Sequence, residues 1–291
     1  MSDQPIIITT PPQEPPFIRR QSSPIATMVL LVINVTLFVL MELAGGSRDP
    51  DVLLSFGASF GPFIQRGEYW RLVMPMFLHI GLAHLILNTV GLFLLGRVLE
   101  SVYGYGRFAV LYVASGMGSS FLSMTLSQSV SAGASGAIFG MAGAMLTIGY
   151  LHRAAVPRRW RRAFGGGMLP LIILNLALGF SIPGIDNWGH LGGLFVGMLI
   201  SGLMPPPGLG LIPGPTSTQP SQAMVMIPLA VVALAMGLAV ENHRLARAIL
   251  QFIEESRKLR AAGRFDQAIQ RAQDAARLAP RDERPREELG S

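Results

Sequence analysis

Apolar runs of about the roughly 20 residues needed to span a bilayer's hydrocarbon recur at Ile25 to Leu43, Phe77 to Leu95, Phe108 to Leu126, Ser135 to Leu151, Met168 to Ile185, Trp188 to Met204 and Ala223 to Val240. The pattern predicts seven spanning helices and an all-α, polytopic membrane helical bundle. It divides into a six-span core over 25–204 and a seventh transmembrane segment over 223–240. A polar, proline-rich tail over 1–24 precedes the bundle, and a charge-free Pro/Gly/Ser/Thr linker over 205–222 separates its two parts. The seventh run is short and carries Pro228, which removes a helix hydrogen bond. Beyond it, 241–291 turns charged, arginine-rich and helical in period, as a soluble helical tail would.

Composition agrees with the pattern. Half of the residues are hydrophobic (50%), only 14% are charged, and the mean hydropathy is +0.45, which excludes an ordinary soluble domain. The net charge of +6 comes almost wholly from arginine, since Lys258 is the only lysine. If the first six segments alternate, Arg19, Arg20, Arg97, Arg107 and the cluster Arg153, Arg158, Arg159, Arg161 and Arg162 share one side, which the positive-inside rule makes the cytoplasm. On the opposite side lies the long connection 44–76, where acids offset Arg48, Arg66 and Arg71. The arginines therefore read as orientation signals in contact with the lipid bilayer rather than as a nucleic-acid surface. A bacterial inner membrane with a cytoplasmic N-terminus follows as the expectation. Absence of cysteine excludes disulfides, thiolate metal sites and a cysteine nucleophile. The first apolar run is long enough to stay in the bilayer, so no cleavable signal peptide is expected.

Polar side chains inside spans are costly and are candidates for function. No aspartate lies centrally in a span, which argues against an intramembrane aspartyl protease. His79 and His84 are five apart with no glutamate between them, so the zinc-protease helix pattern is missing. Serine and histidine remain. Segments two, four and six all enter the membrane from the outer side, so His84 and Asn88 on segment two, Ser135 at the start of segment four and His190 near the start of segment six share a depth. His84 and Asn88 also stack on one helical face. An imidazole can take the proton of a serine hydroxyl and pass it to a leaving amine. The amide of Ser135 at a helix start, with His84 and Asn88, would stabilise the oxyanion that develops. Gly133 and Gly136 beside the serine allow close approach, and the pairs Gly136/Gly140 and Gly193/Gly197 put small residues one turn apart, as tight helix packing in lipid requires.

With these residues in hand, the sequence over Ile25 to Met204 resembles the rhomboid family of intramembrane serine proteases. The matching features are Glu68-Tyr69-Trp70-Arg71, the run His79, His84, Asn88, the Gly-x-Ser-Gly at 133–136, and the run His190, Gly193, Gly197. The resemblance implies a six-helix rhomboid core and a Ser135–His190 dyad. It also implies cleavage of transmembrane protein substrates beside or within their helices, with no cofactor and no metal. It further implies that Trp70 and Arg71 brace the outer loop, that His79 supports the site, and that segment five with the connection from Ile182 to Asn187 acts as a lateral gate. Gly189 stands where the family often has alanine, and Phe139 where it often has tyrosine, free to stack on His190 but without a hydroxyl. In the tail, Gly263, Phe265, Ala268, Ile269, Ala272, Ala275, Leu278 and Pro280 have the spacing of one tetratricopeptide unit, a C-terminal helical hairpin that could take a protein partner; a plain amphipathic helix pair fits as well.

Two other readings stay open at this point. A non-catalytic rhomboid-like protein that binds membrane clients typically lacks the serine or the histidine, and both are kept here. A seven-helix transporter would carry polar residues along a midplane path, whereas here they cluster toward one face. Asp186 could be offered as a third member of a triad, but four residues before His190 in a short exposed connection it reads as a solvated loop residue, and Trp188 reads as an interfacial anchor.

Overall fold

A computed structural model of the chain describes residues 23–127, 129–154, 156–182, 184–206 and 222–278. Most of the polar tail 1–24, most of the linker 205–222, and Pro280 lie outside the described residues. The chain is all-α: α1 (Ile25–Leu43), α2 (Pro50–Phe56), α3 (Gly61–Gln65), α4 (Leu82–Tyr103), α5 (Tyr105–Leu126), α6 (Ser135–Leu151), α7 (Met168–Ser181), α8 (Asn187–Leu203), α9 (Gln222–Ala261) and α10 (Phe265–Leu278). Among the described residues the extended backbone amounts to one isolated antiparallel bridge, Ser59 to Ser131.

α1, α4 and α5 are long and apolar enough to cross a membrane, and α6 and α7 are shorter apolar helices. Large apolar side chains such as Val32 on α1, Leu87 on α4 and Ile173 on α7 stay exposed, the surface an integral membrane protein offers to lipid. α1 and α6 occupy the expected segments. α4 instead starts at Leu82 rather than Phe77 and runs to Tyr103 rather than Leu95. At its start, Pro75 sits in a 3-10 turn at Met74–Phe77, and Gly81, at φ +79°, breaks the backbone just before the helix. Its extension carries Glu100, whose carboxylate accepts from the N–H groups of Ala26 and Thr27 and from the Thr27 hydroxyl at 2.9, 2.8 and 2.7 Å. Those two amides open α1 and have no partner in their own helix, so a charged side chain buried in α4 caps the neighbouring helix.

The connection 44–76 is itself structured. Asp49 caps α2 through the N–H groups of Asp51 and Val52, with Pro50 at the first helical position and Gly57 closing the helix in the left-handed region. Arg71, 2% exposed, donates to the Glu68 carboxylate at 2.7 Å and to the carbonyls of Leu54 and Ala58, and stacks on Trp70 and Phe63. Burial pulls its guanidinium below the ordinary arginine value, and Glu68 opposes that shift. α9 packs its Ala235 and Ala239 into the main core and continues unbroken through 240, joining the seventh segment to the first part of the tail. At the level of α2, Asn242 donates to the Ser55 carbonyl at 2.9 Å, and the His243 ring hydrogen-bonds the Ser55 hydroxyl at 2.9 Å and lies against Phe56. α10 then folds back on α9 through Ala268, Ala272 and Ala275.

Candidate active site

Three helices meet at the site because their contact faces carry almost no side chain. α6 and α8 run side by side in the same direction, with Gly193 against the Gly136 carbonyl and Gly197 against the Gly140 carbonyl; a Cβ at either position would collide with backbone. On the other flank α5 brings Ser119 against Gly136 and Ser115 against Gly140, again with no room for a Cβ on the glycines. Close backbone approach of this kind is what holds helices together where lipid supplies no hydrophobic drive.

Ser135 is the first residue of α6 and half-buried; His190 lies in the first turn of α8 and is buried. Ser135 Oγ and His190 Nε2 are 2.9 Å apart. The other face of the imidazole stacks on Phe139 at 4.3 Å between centroids and 12° between planes, so the ring is held flat while its Nε2 edge points at the hydroxyl. An imidazole so placed can accept the hydroxyl proton.

The loop before Ser135 is pinned at four points. Ser59 and Ser131 exchange two backbone hydrogen bonds, at 2.8 and 2.9 Å. Gly133 donates to the Pro75 carbonyl at 2.9 Å, and the Ala134 N–H points to His79 Nε2 at 3.5 Å. Gly133 sits at φ +149°, and a Cβ there would lie 2.7 and 2.9 Å from the His84 ring, so both conformation and space require glycine. His79, fully buried, packs edge-on to His84 at 5.5 Å between centroids. The Ile80 N–H points to His84 Nδ1 at 3.4 Å, which leaves the proton of a neutral ring on Nε2, the edge facing Gly133 and Ser135. Asn88 donates one amide hydrogen to the His84 carbonyl at 2.9 Å and retains a second.

Ser135, His190, His84, Gly133, Gly136, Phe139 and His79 therefore gather in one place, with Asn88 a turn below His84 and Gly193 and Gly197 in the helix contact. Trp70 and Arg71 do not join them; they hold the connection 44–76 together. One expectation is corrected: Asp186 is not a freely solvated loop residue. It caps α8, its Oδ1 accepting from the Gly189 N–H at 2.9 Å, while Oδ2 is buried without a hydrogen-bond partner. The sequence reading also passed over Asn187, whose side-chain amide donates to the Leu176 carbonyl of α7 at 3.3 Å, and Ser115 and Ser119. The signals were present: an Asp just before a helix, and a small-residue run on α5 from Ser115 to Ser120.

Residues 66–206 match the family described as the Rhomboid domain. The chain is similar to Rhomboid protease GluP of Bacillus subtilis (strain 168), 35% identical over 251 residues that make up 86% of this chain and 47% of the relative. It is also similar to RHOMBOID-like protein 5 of Arabidopsis thaliana, 38% identical over 151 residues (51% of this chain, 48% of the relative). Rhomboid-like protease 1 of Toxoplasma gondii is 36% identical over 156 residues, 52% of either chain. The chain thus spans about half the length of these curated relatives. These similarities place a Rhomboid domain at residues 66–206 of the chain.

Proposed function

We propose that the chain is an intramembrane serine endopeptidase that cuts transmembrane segments of membrane-protein substrates with Ser135 as nucleophile and His190 as general base. The observation that carries this reading is the 2.9 Å contact between Ser135 Oγ and His190 Nε2, with the His84 Nε2 edge on the same small space. His190 takes the hydroxyl proton as Oγ attacks the scissile carbonyl. The oxyanion is held by the amide of Ser135 at the start of α6, by His84 and by the spare Asn88 hydrogen. The imidazolium then protonates the leaving amine, and water, activated by the same ring, releases the acyl group. Nothing in this cycle calls for a metal or an organic cofactor. α7, tied to α8 through Asn187, is the element that would move aside to admit a substrate helix.

The same reading puts 1–24 in the cytoplasm of a bacterial inner membrane and the start of the tail on the outer side. That fits the contact of Asn242 and His243 with α2, inside the connection between α1 and α4. The hairpin of α9 and α10 fits one tetratricopeptide-like unit. The test is cleavage of a single-span substrate by purified protein in liposomes: wild type cuts and Ser135→Ala does not. Unchanged cleavage by Ser135→Ala overturns the proposal. Binding of the substrate without any cleavage by wild type would favour the client-binding reading instead.

A further inference from the structure

The dyad accounts for one edge of the His190 ring. Its other nitrogen, Nδ1, is buried and has no hydrogen-bond partner. One helical turn earlier, Asp186 Oδ2 is likewise buried without a hydrogen-bond partner, although Asp186 Oδ1 already caps the helix. The two groups belong to the same turn, since the His190 N–H closes the first helical hydrogen bond on the Asp186 carbonyl at 3.1 Å.

Gly189 leaves the space that the Asp186 carboxylate occupies. A Cβ at 189 would stand 2.8 Å from Asp186 Oδ2 and 2.9 Å from Ser119 Oγ, so an alanine would push both side chains off the first turn of α8. An N-cap needs only one carboxylate oxygen, and Asn or Ser serves there as well as Asp. The cap alone therefore does not explain a second oxygen kept out of water.

We propose that Asp186 is a positioning residue of the dyad, its carboxylate acting through space on the His190 imidazole so that the ring holds its orientation and bears the positive charge formed when Ser135 attacks. This rests on the dyad reading for its catalytic meaning, though the coupling between the two side chains is a physical property of the folded chain. Among the described residues the titratable side chains at the site around His190 are Asp186, which caps its own helix, and His84 on α4, whose ring lies against Gly133 beside Ser135. α5 offers Ser119, α6 offers Ser135, and α7 carries no titratable side chain. Asp186 is thus the acidic side chain of the helix turn that carries the ring. In a site shielded from water an unscreened charge acts more strongly than at a surface.

Asp186→Asn keeps the capping oxygen and removes the charge. The histidine ring of His190, labelled and assigned by the signal missing in His190→Gln, is titrated by NMR in the full-length protein in detergent. The expected result is that Asp186→Asn lowers the ring's titration midpoint by about one pH unit, because a nearby carboxylate favours the protonated form. The acid limb of the cleavage profile moves to lower pH with it, kcat falls about tenfold and KM is unchanged, one pH unit of lost interaction being a factor of ten. Asp186→Ala shows the same shift together with a lower melting temperature from the lost cap. Identical midpoints in wild type and Asp186→Asn overturn the proposal whatever the cleavage assay gives. A lowered midpoint in a protein whose wild type does not cleave sustains the coupling and overturns the dyad reading alone.

Discussion

Glu100 is 1% exposed and sits in an apolar helix, where an unpaired carboxylate would be untenable. All three of its hydrogen bonds go to the first turn of α1. Charge-assisted bonds of this kind contribute more than neutral ones, and losing them also strands two amides. Glu100→Ala is therefore expected to destabilise the protein by about 2–3 kcal/mol, read as a lower melting temperature in detergent, with Glu100→Gln falling between it and wild type. On the proposed mechanism, Asn88→Ala should slow turnover about ten- to a hundredfold with little change in KM, since its spare hydrogen would act on the oxyanion rather than on the bound substrate. A change in KM alone would remove Asn88 from that role. The common depth of Ser135, His190, His84 and Asn88 was legible because helix alternation alone fixes it. The role of Glu100 was not, because it lies past the apolar run ending at Leu95 and its partners are backbone amides distant in sequence. Asp186 was misread for the opposite reason: a short polar connection looks solvated until the packing of α5 and α8 closes over it.

At the scale of elements, the site depends on how near α5, α6 and α8 come to one another. Gly197→Val is expected to force α8 away from α6 at Gly140, costing about 1–3 kcal/mol by overpacking and reducing cleavage through a longer Ser135 to His190 separation; a fully active variant would contradict the packing account. The paired glycines were readable from their spacing, and Ser115 and Ser119, also one turn apart, carried the same small-residue signal in serines rather than glycines. The helices of the connection 44–76 were also legible in part, since Asp49, Pro50 and Gly57 are ordinary helix start and stop residues. The contact of α9 with α2 is a different case. Burial, and Arg247 beside it, hold the His243 ring below the ordinary histidine value. A ring that resists protonation when docked favours docking at pH above the ordinary value of about 6.5, and the preference is lost as pH falls through and below it. Because the ring is only half-buried the effect is small and salt-screened. Spin labels on α2 and α9 should report a broader distance distribution at pH 5 than at pH 8, a difference absent in His243→Ala.

For the whole molecule, the continuity of α9 links the bundle to the hairpin without a joint. Its 40 residues extend about 60 Å, roughly twice the thickness of the hydrocarbon. The sequence reading placed a boundary at 240 because the composition changes there, yet composition marks where the solvent changes and not where a helix stops. With the connection 44–76 on the outer side, as proposed, the contact of α9 with α2 puts the start of the tail there too, so a reporter fused at Ser291 that works only in the cytoplasm should be silent; an active one would reverse the orientation of the seventh span.

The shortness of α7 has a consequence for the membrane itself. Its 14 residues rise only about 21 Å, and the 17 of α8 about 25 Å, against a hydrocarbon layer of roughly 30 Å. Lipids bordering these helices must shorten their chains' reach or draw their headgroups inward to match. The bilayer is then expected to be thinner along α7 and α8, and on the proposed reaction water would have a shorter path to the site there. Acyl-chain length in the host membrane becomes a variable of the reaction.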